Sequence, residues 1–304
     1  MRFLWVRLVV SFITVCLFFV ALQTRTPLFF KFRPWDAISI CLLSLFLVVS
    51  VLLLSGKKTK SEYKLFSGFL IISLIAIMGM VLLKEAHFHY VRASILSSEN
   101  PNLQEIGKHF IVGFGDFSEV KKLVEKGAIG GIFITKKNVI GKSKEQIMEI
   151  IHELQDLQLS FGRTPLIIST DQEGGVVSKL SPPLTRLPGL ASVVEDGEIA
   201  HNLFTNFARI HGSELSDIGV NVNFAPVVDI NEGVINNDDK HTRIYRRAIS
   251  DDPGLIGKVA SEYCKYLAEY NVICTLKHFP GLGNVKNDTH ISVATLYWPD
   301  QFSE

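Results

Sequence analysis

The sequence predicts an α/β domain built on parallel strands and preceded by three transmembrane helices. Two observations lead to this prediction. Dense apolar runs all lie before about residue 85, and beyond that position short β-rich runs alternate with amphipathic helical stretches. The positive mean hydropathy of the chain is therefore an average over a very apolar region before about residue 85 and a more polar region after it.

Three apolar runs reach the roughly 20 residues that a bilayer core requires, namely residues 3–21, 37–54 and 66–83. We therefore predict a membrane anchor over residues 1–85. The first run, preceded by Arg2 and Arg7, also has features of a cleavable signal peptide. A small-x-small cleavage site is missing and two more runs follow, so the sequence favours a retained anchor.

The basic residues that flank the apolar runs predict an orientation. One side carries Arg2, Arg7, Lys57, Lys58, Lys60 and Lys64, and the other carries Arg25, Lys31, Arg33, Lys84 and Arg92. Because cytoplasmic loops are richer in Lys and Arg, we expect a cytoplasmic amino terminus and an extracytoplasmic domain after Leu83.

Charge and cysteine content exclude several classes of function. Lys and Arg number 31 against 30 Asp and Glu, without a basic stripe, so nucleic acid is not an expected partner. Cys16 and Cys41 lie inside apolar runs, and Cys264 and Cys274 flank a helix-to-strand junction. Without a CxxC or paired spacing, we expect neither a disulfide framework nor a zinc site.

A polar linker over residues 86–108 is predicted to precede a globular domain that begins at residue 109. Within this domain we predict strands in residues 109–114, 130–135, 165–170, 221–230 and 272–279. Helices are predicted around residues 120–126, 145–157, 198–218 and 253–270. This alternation indicates a parallel sheet, either open or closed as a barrel.

Polar residues collect where the predicted strands end, at Asp171, Asp229, Lys277 and His278. Barrels and doubly wound sheets both bind ligands at the carboxyl ends of their strands, so this pattern leaves both architectures open. No glycine-rich phosphate fingerprint follows a strand, which counts against nucleotide binding.

The most informative segment is KHFPGLGNVKNDTH, residues 277–290. Lys277 offers three donors and His278 a ring donor, both suited to sugar hydroxyls. Asp288 and His290 lie two residues apart, and a carboxylate beside an imidazole can prepare it for general acid/base catalysis. A D-x-H pair alone is more often part of a solvated loop than of a catalytic site, so the surrounding sequence must distinguish the two.

That context resembles glycoside hydrolase family 3, specifically the β-N-acetylhexosaminidases. KHFPG-x-G followed by D-x-H is similar to the acid/base loop of that family. Residues 167–180 (IISTDQEGGVVSKL) resemble its DQEGG-x-V-x-R segment, and LTRLP at 184–188 and NFAPVVDI at 223–230 follow in the family's order. The resemblance implies retaining hydrolysis of terminal non-reducing β-linked N-acetylglucosamine, with peptidoglycan-derived fragments as the expected glycan partner. It implies no metal or cofactor.

The resemblance also implies a role for each matching residue. Asp171, Arg247 and the pair Lys277–His278 are expected to bind the sugar. Lys179 is also expected to bind the sugar; it stands where the family usually has arginine, so it keeps the charge but loses the planar fork. His290 matches the acid/base histidine and Asp288 its orienting partner.

Three other residues are interpreted structurally or left open. Asp229 is expected to cap a helix or bond the loop rather than to catalyse. Arg186 fits a buried ion pair and a sugar contact equally well. Glu173 is expected to shape the turn after its strand together with the Gly174–Gly175 pair.

The resemblance implies a partial TIM (β/α)8-type barrel, because eight strand-helix units require about 250 residues and residues 109–304 provide roughly five of them. The family's nucleophile is an aspartate beyond the D-x-H loop. We therefore expect an incomplete catalytic domain, from a truncated, disrupted or split gene, with a second chain that supplies the missing barrel half as one expected partner. The alternative is a membrane-anchored sugar-binding remnant without turnover.

Overall fold

The computed structural model describes residues 2–26, 29, 32–55, 61–234, 237, 242–283, 285 and 289. The chain divides into two compact units, Met1–Ser97 and Ser98–Glu304. The first contains the apolar runs and the second contains the alternating strands and helices. The division follows the change in composition along the sequence.

The first unit consists of three helices: α1 (Arg2–Gln23), α2 (Trp35–Leu54) and α3 (Ser61–Ser97). Each one includes a stretch long and apolar enough to cross a membrane, as the sequence predicts. Their buried seam includes Ala21, Leu74 and Val81, whereas Phe12 and Phe46 on the outer faces are exposed. Helices that are apolar on all faces occur in the core of a large protein or as membrane spans.

Polar contacts join the end of α1 to α3. Lys84 Nζ donates hydrogen bonds to the carbonyl oxygens of Ala21 and Leu22, each at 2.9 Å. Arg25 forms an ion pair with Glu85, and its guanidinium lies 3.7 Å from the ring centroid of Phe88. The two hydrogen bonds from Lys84 satisfy two of the last carbonyls of α1, which have no partner within the helix itself.

Helix α3 is longer than the predicted third span. Its 37 residues extend about 55 Å at 1.5 Å per residue, whereas a hydrocarbon core is about 30 Å thick. Residues up to Ser97 therefore continue the helix through much of the predicted linker. A further helix, α4 (Pro101–Gly107), follows it, and its cap residue Asn100 accepts the N–H of Asn102 at 3.0 Å.

The second unit continues after α4 with these elements in chain order: β1 (Ile111–Gly113), α5 (Phe117–Glu125), β2 (Gly131–Ile134), α6 (Lys136–Val139), α7 (Lys144–Ser160), β3 (Ile167–Thr170), β4 (Gln172–Gly174), β5 (Val177–Ser178), β6 (Val194–Glu195), β7 (Glu198–Ile199), α8 (His201–Asp217), β8 (Val222–Asn223), α9 (Pro253–Glu269) and β9 (Ile273–Cys274). Short 3-10 helices occupy Leu190–Val193 and Ile244–Arg246.

Five of the strands form one parallel sheet in the order β1-β2-β3-β8-β9, and they correspond to the five predicted strands. This order follows the order along the chain without reversal. A doubly wound sheet reverses its strand order at a switch point, whereas a barrel does not. Among the described strands, the topology therefore favours the barrel type. The other four strands form two antiparallel hairpins, β4–β5 and β6–β7.

Local sequence signals position the helices that cover the sheet. Asp116 caps α5, and Ser143 and Gln146 form a capping box at the start of α7. Asp252 caps α9, where Pro253 occupies the first helical position. The apolar faces of these helices and the strands share one buried core.

One predicted helix begins later than expected. We expected a helix over residues 198–218, but Glu198 and Ile199 belong to β7 and the helix begins at His201. The preceding Asp196 and Gly197 have φ values of 51° and 78°. An Asp-Gly pair with positive φ makes the two-residue turn of a β-hairpin, which overrides the helical pattern here.

The expectation of no disulfide is wrong for one cysteine pair. Cys264 in α9 and Cys274 in β9 form a disulfide with a Cα–Cα distance of 5.3 Å. This distance lies within the usual range for such bonds. Their ten-residue spacing matches no motif, and only the return of the chain from helix to strand brings the two thiols together.

A polar network lies inside the core behind β3 and β8. The side chain of Asn223 bonds both the N–H and the carbonyl of Gln172, and its Nδ2 lies 3.1 Å from the Tyr263 hydroxyl. That hydroxyl lies 3.1 Å from His211 Nδ1. Burial lowers the pKa of His211 to about 4, because the charged ring would lose its hydration; the charge of Glu214 opposes this shift.

We expect the second unit to lose stability in mild acid through His211. The unfolded chain binds a proton near pH 6.5 and the folded chain near pH 4, so stability is lost as the pH falls between these values. At pH 5 the loss relative to pH 7.5 is about 2 kcal/mol. The loss is measured as a shift of the urea midpoint of the intact chain in detergent, and pulse proteolysis determines that midpoint.

His211→Asn removes the titrating group and keeps a partner for Tyr263, so its urea midpoint should depend less on pH. His201→Asn, at an exposed position of the same helix, is the matched control. An equal pH dependence in the native chain and His211→Asn would contradict the prediction.

Candidate active site

Charged side chains gather at the carboxyl ends of β3 and β9. Asp171 follows β3 directly, Glu173 lies in β4, and Lys277 comes three residues after β9. Arg247 follows the short helix Ile244–Arg246. We refer to these four residues as the ion cluster. In barrels of this type the carboxyl ends of the strands form the face that carries the active site.

Glu173 is the centre of the ion cluster. Its two oxygens accept hydrogen bonds from Arg247 Nη2 at 2.8 Å and Nε at 2.9 Å. Lys277 Nζ lies 2.5 Å from Glu173 Oε1 and donates to Asp171 Oδ1 at 2.8 Å. The Glu173 and Arg247 side chains are only 7% and 9% exposed. Such a pair is strong because the geometry is bidentate and little water competes.

Arg247 remains charged in this setting. Its Nη1 donates to the carbonyl oxygen of Thr242 at 2.9 Å. Burial alone lowers the pKa of Arg247, but the hydrogen bonds and charge of Glu173, with the charges of Asp171 and Asp229, raise it above its usual value. The guanidinium is therefore a permanent cation of the cluster.

His278 is held by a buried carboxylate. Its Nδ1 lies 2.6 Å from Asp229 Oδ2, and the Asp229 side chain is 0% exposed. The other oxygen, Oδ1, accepts the backbone N–H of Leu282 at 2.6 Å. On its second nitrogen, Nε2, His278 lies 3.4 Å from Arg247 Nη2. His278 thus connects Asp229 to the ion cluster.

Two glycines allow close backbone approaches around this site. A Cβ at Gly174, which has a φ of +92°, would lie 2.2 Å from the carbonyl oxygen of Pro188. A Cβ at Gly283 would lie 2.6 Å from the carbonyl oxygen of Ile230. A side chain at either position would displace the backbone next to Glu173 or next to Asp229.

The structure brings four of the predicted site residues together: Asp171, Arg247, Lys277 and His278 are joined by contacts to one another or to Glu173. The Asp171 and His278 side chains are 25% and 27% exposed, so they form the accessible side of the group. Among the described residues, none bonds Asp171 Oδ2. Their roles toward a substrate stay predictions.

The other predicted site residues stand apart. The backbone N–H of Lys179 donates to the Asp171 carbonyl oxygen at 3.2 Å, but its side chain forms no hydrogen bond or ion pair with the described residues. Asp288 and His290 lie outside the described residues. Their predicted pairing therefore stays a prediction as well.

Three structural interpretations can be compared with the contacts. Glu173 was expected only to shape a turn, yet it is the centre of the ion cluster. Asp229 bonds the loop as expected, and it also holds His278. Arg186 is exposed and donates to the Gly175 carbonyl oxygen at 3.1 Å, so the buried ion pair is wrong. The partner of Glu173, Arg247, lies 74 positions away, and no local pattern reveals that contact.

Comparisons with known proteins agree on one family. Residues 103–302 match the family described as "Glycosyl hydrolase family 3 N terminal domain". A beta-hexosaminidase of Idiomarina loihiensis is 31% identical over 178 residues, which cover 58% of this chain and 50% of that protein. A beta-hexosaminidase of Xylella fastidiosa (strain M23) is 34% identical over 175 residues, covering 56% and 48% respectively. The chain spans about half the length of the curated relatives it matches.

Solved structures give the same picture. A glycoside hydrolase family 3 beta-N-acetylglucosaminidase from Paenibacillus sp. str. FPU-7 is similar with a TM-score of 0.56 and 31% identity, covering 64% of this chain and 36% of that one. NagZ from Neisseria gonorrhoeae, in complex with N-trifluoroacetyl-D-glucosamine, is similar with a TM-score of 0.52 and 29% identity, covering 60% and 53%.

We expect Glu173→Gln to destabilise the second unit strongly. The substitution leaves Arg247 and Lys277 without their shared carboxylate in a nearly buried site. Breaking a buried pair in this way costs about 3–5 kcal/mol in the free energy of unfolding. Pulse proteolysis of the intact chain in urea and detergent measures the change. Glu195→Gln, at an exposed position of β6, is the control, and an equal midpoint for the two variants would contradict the central role of Glu173.

Proposed function

The chain belongs to glycosyl hydrolase family 3, and from this membership we propose that it serves in the hydrolysis of terminal non-reducing β-linked N-acetylglucosamine residues. Because the chain spans about half of each curated relative, the proposal concerns the part of such an enzyme that these residues form. The observation that carries it is the ion cluster with His278, at the face where barrels bind their substrates.

The accessible atoms of this group suit a sugar. Asp171 Oδ2 can accept a hydrogen bond from a hydroxyl, and Lys277 Nζ has a third proton beyond the two directed at Asp171 and Glu173. His278 Nε2 adds a third polar atom close by. Several convergent polar atoms on a rigid support are typical of sites that read neighbouring hydroxyl groups.

The proposed reaction is a double displacement that retains the anomeric configuration. His290, oriented by Asp288, protonates the glycosidic oxygen as the bond to the anomeric carbon breaks, and an aspartate forms the glycosyl intermediate. Water deprotonated by His290 then releases the sugar and frees the aspartate. The resemblance assigns this aspartate to a strand beyond the D-x-H loop.

Two considerations support an amino sugar as the substrate. In the family, the D-x-H loop accompanies N-acetyl sugars. The Neisseria gonorrhoeae structure similar to this chain holds N-trifluoroacetyl-D-glucosamine. We propose peptidoglycan-derived fragments as the source, since they present β-linked N-acetylglucosamine.

We further propose that the three helices cross a membrane and that the second unit lies on the extracytoplasmic side. The distribution of Lys and Arg around the apolar runs supports this orientation. The Cys264–Cys274 disulfide supports it independently, because such bonds persist in oxidising compartments and are rare in the cytosol.

Activity is tested with 4-nitrophenyl N-acetyl-β-D-glucosaminide and the protein in its own membranes. We expect hydrolysis that His290→Ala reduces about 100-fold or more, since the acid/base step is removed. Asp229→Ala should reduce it less, and Asp217→Ala, at an exposed position, should leave it unchanged. Binding without hydrolysis would favour the sugar-binding alternative, and absence of both would reject the proposed function.

Topology is tested by labelling intact cells with a membrane-impermeant maleimide. Cys264 and Cys274 are partly exposed and bonded to each other, so we expect labelling only after a reductant is added. Cys264→Ser should leave Cys274 open to labelling without reductant. If that variant is labelled only after the cells are lysed, the second unit lies in the cytoplasm and the orientation is wrong.

A further inference from the structure

We propose that Asp229 is a positioning residue that fixes the proton of His278 on Nδ1, and so makes Nε2 a hydrogen-bond acceptor toward the ligand. The inference rests on the proposed function for the identity of the ligand, a sugar with free hydroxyl groups. The geometry of Asp229 and His278 is independent of that identity.

The first observation is the environment of Asp229. Its side chain is fully buried, and both carboxylate oxygens are occupied, one by His278 Nδ1 and one by the Leu282 N–H, each at 2.6 Å. A carboxylate is an acceptor on both oxygens, so at this distance the proton between Asp229 and His278 lies on the ring nitrogen.

The second observation is the environment of His278 Nε2. Arg247 Nη2, a permanent donor, lies 3.4 Å from it. A proton on Nε2 would point an N–H at a guanidinium N–H and would add positive charge beside a cation. The neutral ring with its proton on Nδ1 avoids this conflict, so the contacts on both sides of the ring select the same tautomer.

The third observation is the backbone around Asp229. The N–H of Val228 donates to the Lys277 carbonyl oxygen at 2.8 Å, and the N–H of Lys277 donates to the Pro226 carbonyl oxygen at 3.2 Å. These bonds run beside the Asp229–His278 contact and hold the two chain segments in fixed register. Asp229 is therefore held in place by the fold rather than by a flexible loop.

Together these contacts separate two tasks of His278. Nδ1 is committed to the protein, whereas the Nε2 lone pair has only a long, weak contact with Arg247 Nη2 at 3.4 Å, which a shorter hydrogen bond from a sugar hydroxyl can replace. The proposal differs from the sequence interpretation, in which His278 is a ring donor. Beside Asp171, which accepts, and Lys277, which donates, His278 adds an acceptor to the set of groups that a sugar meets.

Asp229→Asn tests this inference. The amide oxygen can still accept the Leu282 N–H, but the amide NH2 then faces His278 Nδ1 and requires a lone pair there, so the ring proton moves to Nε2. Histidine-labelled full-length chain in detergent is studied by ¹⁵N NMR, in which protonated and unprotonated ring nitrogens have distinct shifts. The spectrum of His278→Asn identifies the His278 signals.

We expect the native chain to show His278 protonated on Nδ1, Asp229→Asn to show it on Nε2, and Asp217→Asn to match the native chain. Binding of N-acetylglucosamine should weaken about tenfold in Asp229→Asn, the equivalent of one lost hydrogen bond, and the urea midpoint should fall, because the Nε2 proton then faces the Arg247 N–H. A native His278 protonated on Nε2, or an unchanged tautomer in Asp229→Asn, would overturn the inference. If the tautomer changes as expected but the native chain binds no N-acetylglucosamine, the proposed function fails and the role of Asp229 stands.

Discussion

The Glu173 carboxylate is the interaction on which the site depends. It binds Arg247 through two hydrogen bonds and Lys277 through a third contact, and these two cations in turn contact His278 and Asp171. A buried carboxylate with two cations offsets the loss of hydration of all three groups only while the geometry is maintained. The cluster consequently holds three chain segments at fixed distances from one another: the end of β3, the end of β9 and the segment before α9. The accessible polar atoms of Asp171, Lys277 and His278 therefore have a fixed arrangement.

The sequence predicts the framework of the second unit well, because periodicity and caps are local properties. The five sheet strands and the start of α9 at Pro253 appear where patterns of a few residues indicate them. The resemblance to a family predicts which residues share the site, as Asp171 and Lys277 illustrate. Neither source predicts that Glu173 is central or that Cys264 is bonded, since both depend on partners distant in sequence or on the path of a turn.

The two units differ in how they use polar groups. In the second unit a buried polar network surrounds Asn223 and Tyr263, and the ion cluster lies near the surface of the core. In the first unit the polar contacts near Arg25 and Lys84 lie at the end of α1, and the seam between the helices consists mainly of small and aliphatic side chains. This is the distribution expected if one unit excludes water by a folded core and the other is surrounded by an apolar solvent.

The ion cluster also has a consequence for biosynthesis. Asp171 and Glu173 are translated long before their cations, since Lys277 follows Asp171 by 106 positions and Arg247 follows Glu173 by 74. At about 5–20 residues per second, a ribosome needs on the order of ten seconds to cover this interval. During that time the two carboxylates have no ion-pair partner from the cluster, and burying them without one would be costly. The site is therefore assembled late, once the segment that carries Lys277 has emerged.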